Sequence, residues 1–135
     1  MSAFSTILIL LFSTGMICCR DILKRFNNAV WHDKSGQYAI TENMADSCNA
    51  LSLITRDQNY KRLECVSRIG DDEHFIIAET IHAPKVSQYW IINKDKDAIE
   101  LSARQIVEGP LNLAELTNRE KELGIQDLQF LRQIK

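Results

Sequence analysis

The sequence predicts an α+β fold: a small antiparallel meander of three or four strands packed against helices and preceded by an N-terminal hydrophobic helix. Three observations predict it. The stretch 3–19 carries no charged side chain and centres on the apolar run Ile7 to Phe12. Between Tyr60 and Asn93, three runs alternate apolar with polar residues and are joined by short turns, which suits antiparallel pairing because a parallel crossover needs a dozen or more residues. On either side of those runs, apolar residues recur every three or four positions, the period of a helix with one buried face.

The apolar stretch comes first. As a helix it spans about 25 Å at ~1.5 Å per residue, the short edge of what crosses a bilayer. No basic residue precedes it, whereas Arg20, Lys24 and Arg25 follow it. Positive charge resists translocation, so this asymmetry points to an anchor with the body in the cytoplasm. The alternative is export after cleavage near Ser13-Thr14-Gly15, where small residues sit at the spacing a signal peptidase accepts. Residues 1–19 are thus read as a membrane anchor or signal segment, and 20–135 as a single globular α+β domain.

From Arg20 to Trp31, the residues Ile22, Leu23, Phe26, Val30 and Trp31 fall near helical spacing. They extend the anchor into the headgroup region or form a helix packed on the domain. His32 to Gly36 then supplies turn residues, and Gln37 to Ile40 a short strand. Thr41 can cap a helix running to Thr55, with Met44, Cys48 and Leu51 on one face. The strand Tyr60–Ile69 directs Leu63, Cys65 and Ile69 one way and Arg62, Glu64 and Arg68 the other. A turn at Gly70 to Glu73 leads to the strand His74–His82, and Ala83-Pro84-Lys85 to the strand Val86–Asn93. In the tail, Ser102 with Gln105 forms a capping box for a short helix that Gly109-Pro110 stops. Asn112 with Glu115 starts a second helix that Gly124 ends, with Leu113, Leu116 and Leu123 on its apolar face and Ile125, Leu128 and Leu131 continuing the stripe.

Composition narrows the function. Sixteen basic and eighteen acidic residues give a net charge of −2 over 135 residues. The charges interleave, as in Asn93 to Asp97, and leave no basic stripe for nucleic acid. No glycine-rich phosphate loop, nucleophile elbow or metal-ligand spacing occurs, so no catalytic, cofactor or metal site is expected. Cys65 and His74 flank a turn, but alternation buries Cys65 as an inert thiol. Asp71, Asp72, Glu73 and His74 suit a solvated turn better than a metal site, and His82 lies too far along the strand to join His74.

Cys48 and Cys65 are a candidate disulfide pair if the body is exported, and two buried thiols if it is not. Tyr89, Trp90 and Ile91 are the candidate partner-binding residues, because alternation sends part of this apolar group to each face of the sheet. The expected function is a non-enzymatic, membrane-tethered interaction module acting as an accessory or regulatory protein. Its partners would be another protein and, through residues 3–19, a membrane. The alternative is an exported, periplasmic or secreted, inhibitor or immunity-type protein that binds an enzyme through its sheet face.

Overall fold

A computed structural model describes residues 29–43, 48–82, 85–125 and 132–134. The expected hydrophobic helix at 3–19, most of the helix expected over 20–31, and Leu128 and Leu131 lie outside the described residues.

Two antiparallel sheets form the domain. The first is a meander of β1 (Ala29–His32), β2 (Tyr38–Asn43), β3 (Cys48–Ile54) and β4 (Asn59–Leu63), paired in chain order. The second contains β5 (Val66–Asp71), β6 (Phe75–His82), β7 (Val86–Asn93), β8 (Val107–Leu111) and the two-residue β9 (Arg132–Gln133), in the order β8-β7-β6-β5-β9. The helices among the described residues are α1 (Ala103–Ile106) and α2 (Leu113–Leu123). The expected single meander covered by helices is therefore corrected to a mostly β domain with two antiparallel sheets.

Each departure has a local cause. Where a helix is expected over 41–55, the described residues form the antiparallel strands β2 and β3, in register from Tyr38 opposite Leu53 to Asn43 opposite Cys48, and Met44 lies outside the described residues. Cys48 and Leu51 do have helical spacing, yet Leu51 and Leu53 also alternate with Ser52. Pairing against Tyr38 and Ile40 buries both leucines, so tertiary contact overrides the local pattern. The end of the helix expected over 20–31 is strand β1, with Trp31 in the core.

The run Tyr60–Ile69 is not one strand. It breaks at Glu64-Cys65, where Cys65 takes φ 56° and turns the chain from the first sheet into the second. Cys65 is bridged to Cys48 at the start of β3, with the two Cα atoms 4.7 Å apart. The Ile81 amide donates to the Cys65 carbonyl at 3.3 Å and ties the corner to β6.

Between the sheets lies the main core, with Tyr38, Ile40 and Leu51 from one side and Ile69, Ile76, Ala78 and Ile92 from the other. On the outer face of the second sheet, Ile77, Tyr89 and Ile91 pack against Leu116 of α2 and Ile125. The α2 caps are those expected: Asn112 Oδ1 accepts from the Glu115 amide at 2.9 Å, Glu115 Oε2 from the Asn112 amide at 2.7 Å, and Gly124 adopts φ 68°. Leu113, expected on the buried face, is 59% exposed. Ser102 opens α1 with its amide donating to Gln105 Oε1 at 2.8 Å. Gly109-Pro110 does not end that helix but lies inside β8.

Candidate binding cleft

The core between the sheets opens beyond Trp90. Along β6 and β7, Ile76, Ala78 and Ile92 face the first sheet, and Thr80, His82 and Trp90 continue the same face past the end of β4. There the sheets splay around a cleft of about 370 Å³, walled by Arg62 and Leu63 of β4 on one side and by β8 on the other, with α1 across one end. That volume falls at the lower end of the range of about 300–1,000 Å³ typical of ligand pockets.

Trp90 forms the floor and is held on two sides. Its indole N–H donates to Thr80 Oγ1 at 2.8 Å, satisfying the buried hydroxyl. Opposite it, β8 carries a bulge: Tyr89 pairs with Leu111 and Ile91 with Glu108, so Gly109 and Pro110 together face Trp90. Gly109 sits flat on the ring with φ 144°, and a Cβ there would meet Trp90 Cε3 at 2.6 Å and the Tyr89 carbonyl oxygen at 2.8 Å. Only glycine fits this close approach.

The polar groups of the wall are tied together. Arg62 Nε and Nη2 donate to Asp97 Oδ2 and Oδ1 at 3.0 and 2.8 Å, and Nη2 also donates to the Ala98 carbonyl at 3.0 Å. The Tyr38 hydroxyl donates to Asp97 Oδ2 at 2.7 Å. Burial first, and then this bond to the Asp97 carboxylate, push the Tyr38 phenol upward, so it remains a donor. On the rim, Lys61 pairs with Glu64. His82 and Arg104 are exposed, and Arg104 meets no carboxylate among the described residues.

A second charged cluster clamps the far end of the sheets. Lys94, just after β7, donates to Asp33 Oδ2 at 3.2 Å and lies 3.5 Å from Asp71 Oδ2. Asp33 also accepts from the Tyr38 amide at 3.0 Å and from the Ser35 hydroxyl. Burial alone would raise its carboxyl, but the bonds from Ser35, Tyr38 and Lys94 outweigh that and hold it below its ordinary value. Burial likewise works to raise Glu79, and bonds from Arg68 and Ser67 reverse the sign.

The residues singled out in the sequence separate accordingly. Tyr89 is 8% exposed and Ile91 2%, both beneath α2, whereas Trp90 points the other way and reaches the cleft. The Cys65 sulfur is engaged with Cys48. His74 accepts no thiol proton from it; its Nδ1 lies 2.7 Å from Asp95 Oδ2. Asp72 caps the β5–β6 turn by accepting from the amides of His74 and Phe75, and Asp71 faces Lys94. Among the described residues, no group of three acidic, histidine or cysteine side chains is arranged to share a metal ion.

Residues 29–135 match the family described as "Protein of unknown function (DUF3997)". The chain belongs to this family. No curated protein and no solved structure matches it. The DUF3997 match begins with β1 and covers both sheets, so cleft and disulfide both lie within the family region.

Arg62, Asp97 and Tyr38 are the contributors that sequence reasoning misses. Alternation puts Arg62 on the wet side of its strand, and Asn93 to Asp97 reads as a solvated turn. The available signal is weak: a strand-borne Arg next to Leu63, and an aspartate closing a charged turn.

Proposed function

We propose that the chain is a non-enzymatic interaction module, tethered to a membrane through residues 3–19, whose body works outside the cytoplasm as an accessory or inhibitory partner of another protein. The observation that carries this reading is the Cys48–Cys65 disulfide at the corner between the sheets. Such bridges form and persist in oxidising compartments and are rare in the cytosol. This favours export over the cytoplasmic orientation that Arg20, Lys24 and Arg25 suggest.

The cleft supports recognition more than chemistry. Its buried polar groups are paired with one another, and Thr80 already accepts a bond from the Trp90 indole. What faces outward is an aromatic floor with the Arg104 guanidinium at its rim, two residue types enriched in protein-recognition hot spots. Of the three aromatic and apolar candidates, Trp90 is the one that serves it.

The test is photo-cross-linking in living cells from position 82, on the cleft rim, with position 118 on the exposed side of α2 as the control. A discrete adduct to another protein from position 82, and none from 118, is expected. No adduct from 82, or equal adducts from both, contradicts the reading.

A further inference from the structure

We infer that the cleft takes a short linear peptide segment of its partner in which a carboxylate side chain adjoins a large apolar one. This rests on the binding-module reading above and adds the chemistry of the ligand.

Charge accounting at the cleft mouth gives the carboxylate. Arg62 is neutralised by Asp97, and Glu64 by Lys61. Arg104 keeps its positive charge at the mouth without a carboxylate partner among the described residues, whereas His82 already faces the Glu64 carboxylate. An acidic side chain entering there completes a pair with a guanidinium that is already exposed, so little desolvation opposes it. A basic side chain would meet Arg104 with like charge.

The floor gives the apolar neighbour. Trp90, Val107 and Pro110 present an apolar surface, and the indole cannot turn away because Thr80 and Gly109 fix it from opposite sides. A rigid aromatic floor loses little side-chain entropy when covered. The strand topology gives the polypeptide. Among the described residues, β4 and β8 are the terminal strands of their sheets, so each wall of the cleft ends in a strand to which no further described strand is paired. Extended peptides dock at such edges, with main-chain bonds supplying affinity and side-chain pockets supplying choice.

The experiment uses the full chain in detergent micelles with ¹⁵N-labelled tryptophan. The indole N–H signals of Trp90 and of core-buried Trp31 then report cleft and interior separately. The probes are three pools of acetylated, amidated pentapeptides, each with Phe, Leu or Ile beside Asp or Glu, beside Ser, or beside Lys or Arg. The acidic pool is expected to shift the Trp90 signal and not that of Trp31, with affinity about tenfold above the basic pool, and Arg104→Gln is expected to erase that difference. A Trp90 signal unmoved at millimolar acidic pool, or moved equally by the acidic and basic pools, overturns the inference. If position 82 still cross-links a partner in cells, that outcome removes the ligand chemistry alone; if the adduct is also missing, the binding-module reading falls with it.

Discussion

Arg62 and Asp97, thirty-five positions apart, meet in a two-pronged ion pair whose side chains are 2% and 0% exposed. The pair fastens the last strand of the first sheet to the loop that leaves β7 in the second. Arg62 also lines the cleft, so the architecture and the candidate site share one residue.

Removing one partner strands the other charge in the interior. Asp97→Ala leaves the Arg62 guanidinium buried with only the Ala98 carbonyl, and leaves the Tyr38 hydroxyl without its acceptor. A loss of about 3–5 kcal/mol is expected, read from urea denaturation. Arg62→Met combined with Asp97→Leu should cost clearly less than the sum of the two single changes, because no unpaired charge remains.

Asp33 makes stability depend on acidity. Its carboxyl is held below the ordinary value of 3.8, so its contribution is fully present above that pH and is lost as the pH falls through the lower folded value. Below pH 3.8 the wild type should therefore lose stability more steeply than Asp33→Asn, by at most about 1.4 kcal/mol per pH unit for this one group. Urea midpoints collected from neutral to strongly acid pH check the slope; parallel curves would discard the assignment.

Gly109→Ala tests the floor of the cleft. The added methyl group meets both the Trp90 ring and the Tyr89 carbonyl, in a backbone conformation that alanine resists. A cost of about 1–3 kcal/mol is expected, with a change in Trp90 fluorescence as the ring gives way. Gly36→Ala, also at positive φ but with open space around it, should leave that fluorescence as it was.

Local chemistry was legible in the sequence where a few neighbouring residues decide the outcome. The caps at Ser102, Asn112 and Gly124, the turn after His32 and the antiparallel run through Trp90 all follow from short-range patterns. The pairing of β2 with β3 was not legible, because Cys48 and Leu51 fit a helix as well as a strand and the choice falls to pairing with Tyr38 and Ile40. Nor was the corner at Cys65, since Leu63, Cys65 and Ile69 share one parity in sequence while the chain changes sheets in space. The same holds for the cleft. Trp90 could be named, but its separation from Tyr89 and Ile91 depends on α2 covering one face of the sheet and the first sheet covering only part of the other.

The disulfide contributes to stability. It closes a loop of 17 residues, for which the chain-entropy estimate is about 3 kcal/mol. A fall of this order in unfolding free energy is expected when reductant is added to the purified protein, with Cys48→Ser/Cys65→Ser showing the same value and no response to reductant.

The most direct measurement of the proposed location is the state of these two cysteines in intact cells of the source organism. Free thiols are blocked with a permeant maleimide before lysis, and the digested protein is examined by mass spectrometry without reduction. A linked peptide pair containing Cys48 and Cys65, with neither sulfur blocked, is the result expected of a body that works outside the cytoplasm. Full blocking of both sulfurs would contradict it and return the domain to the reducing side of the membrane.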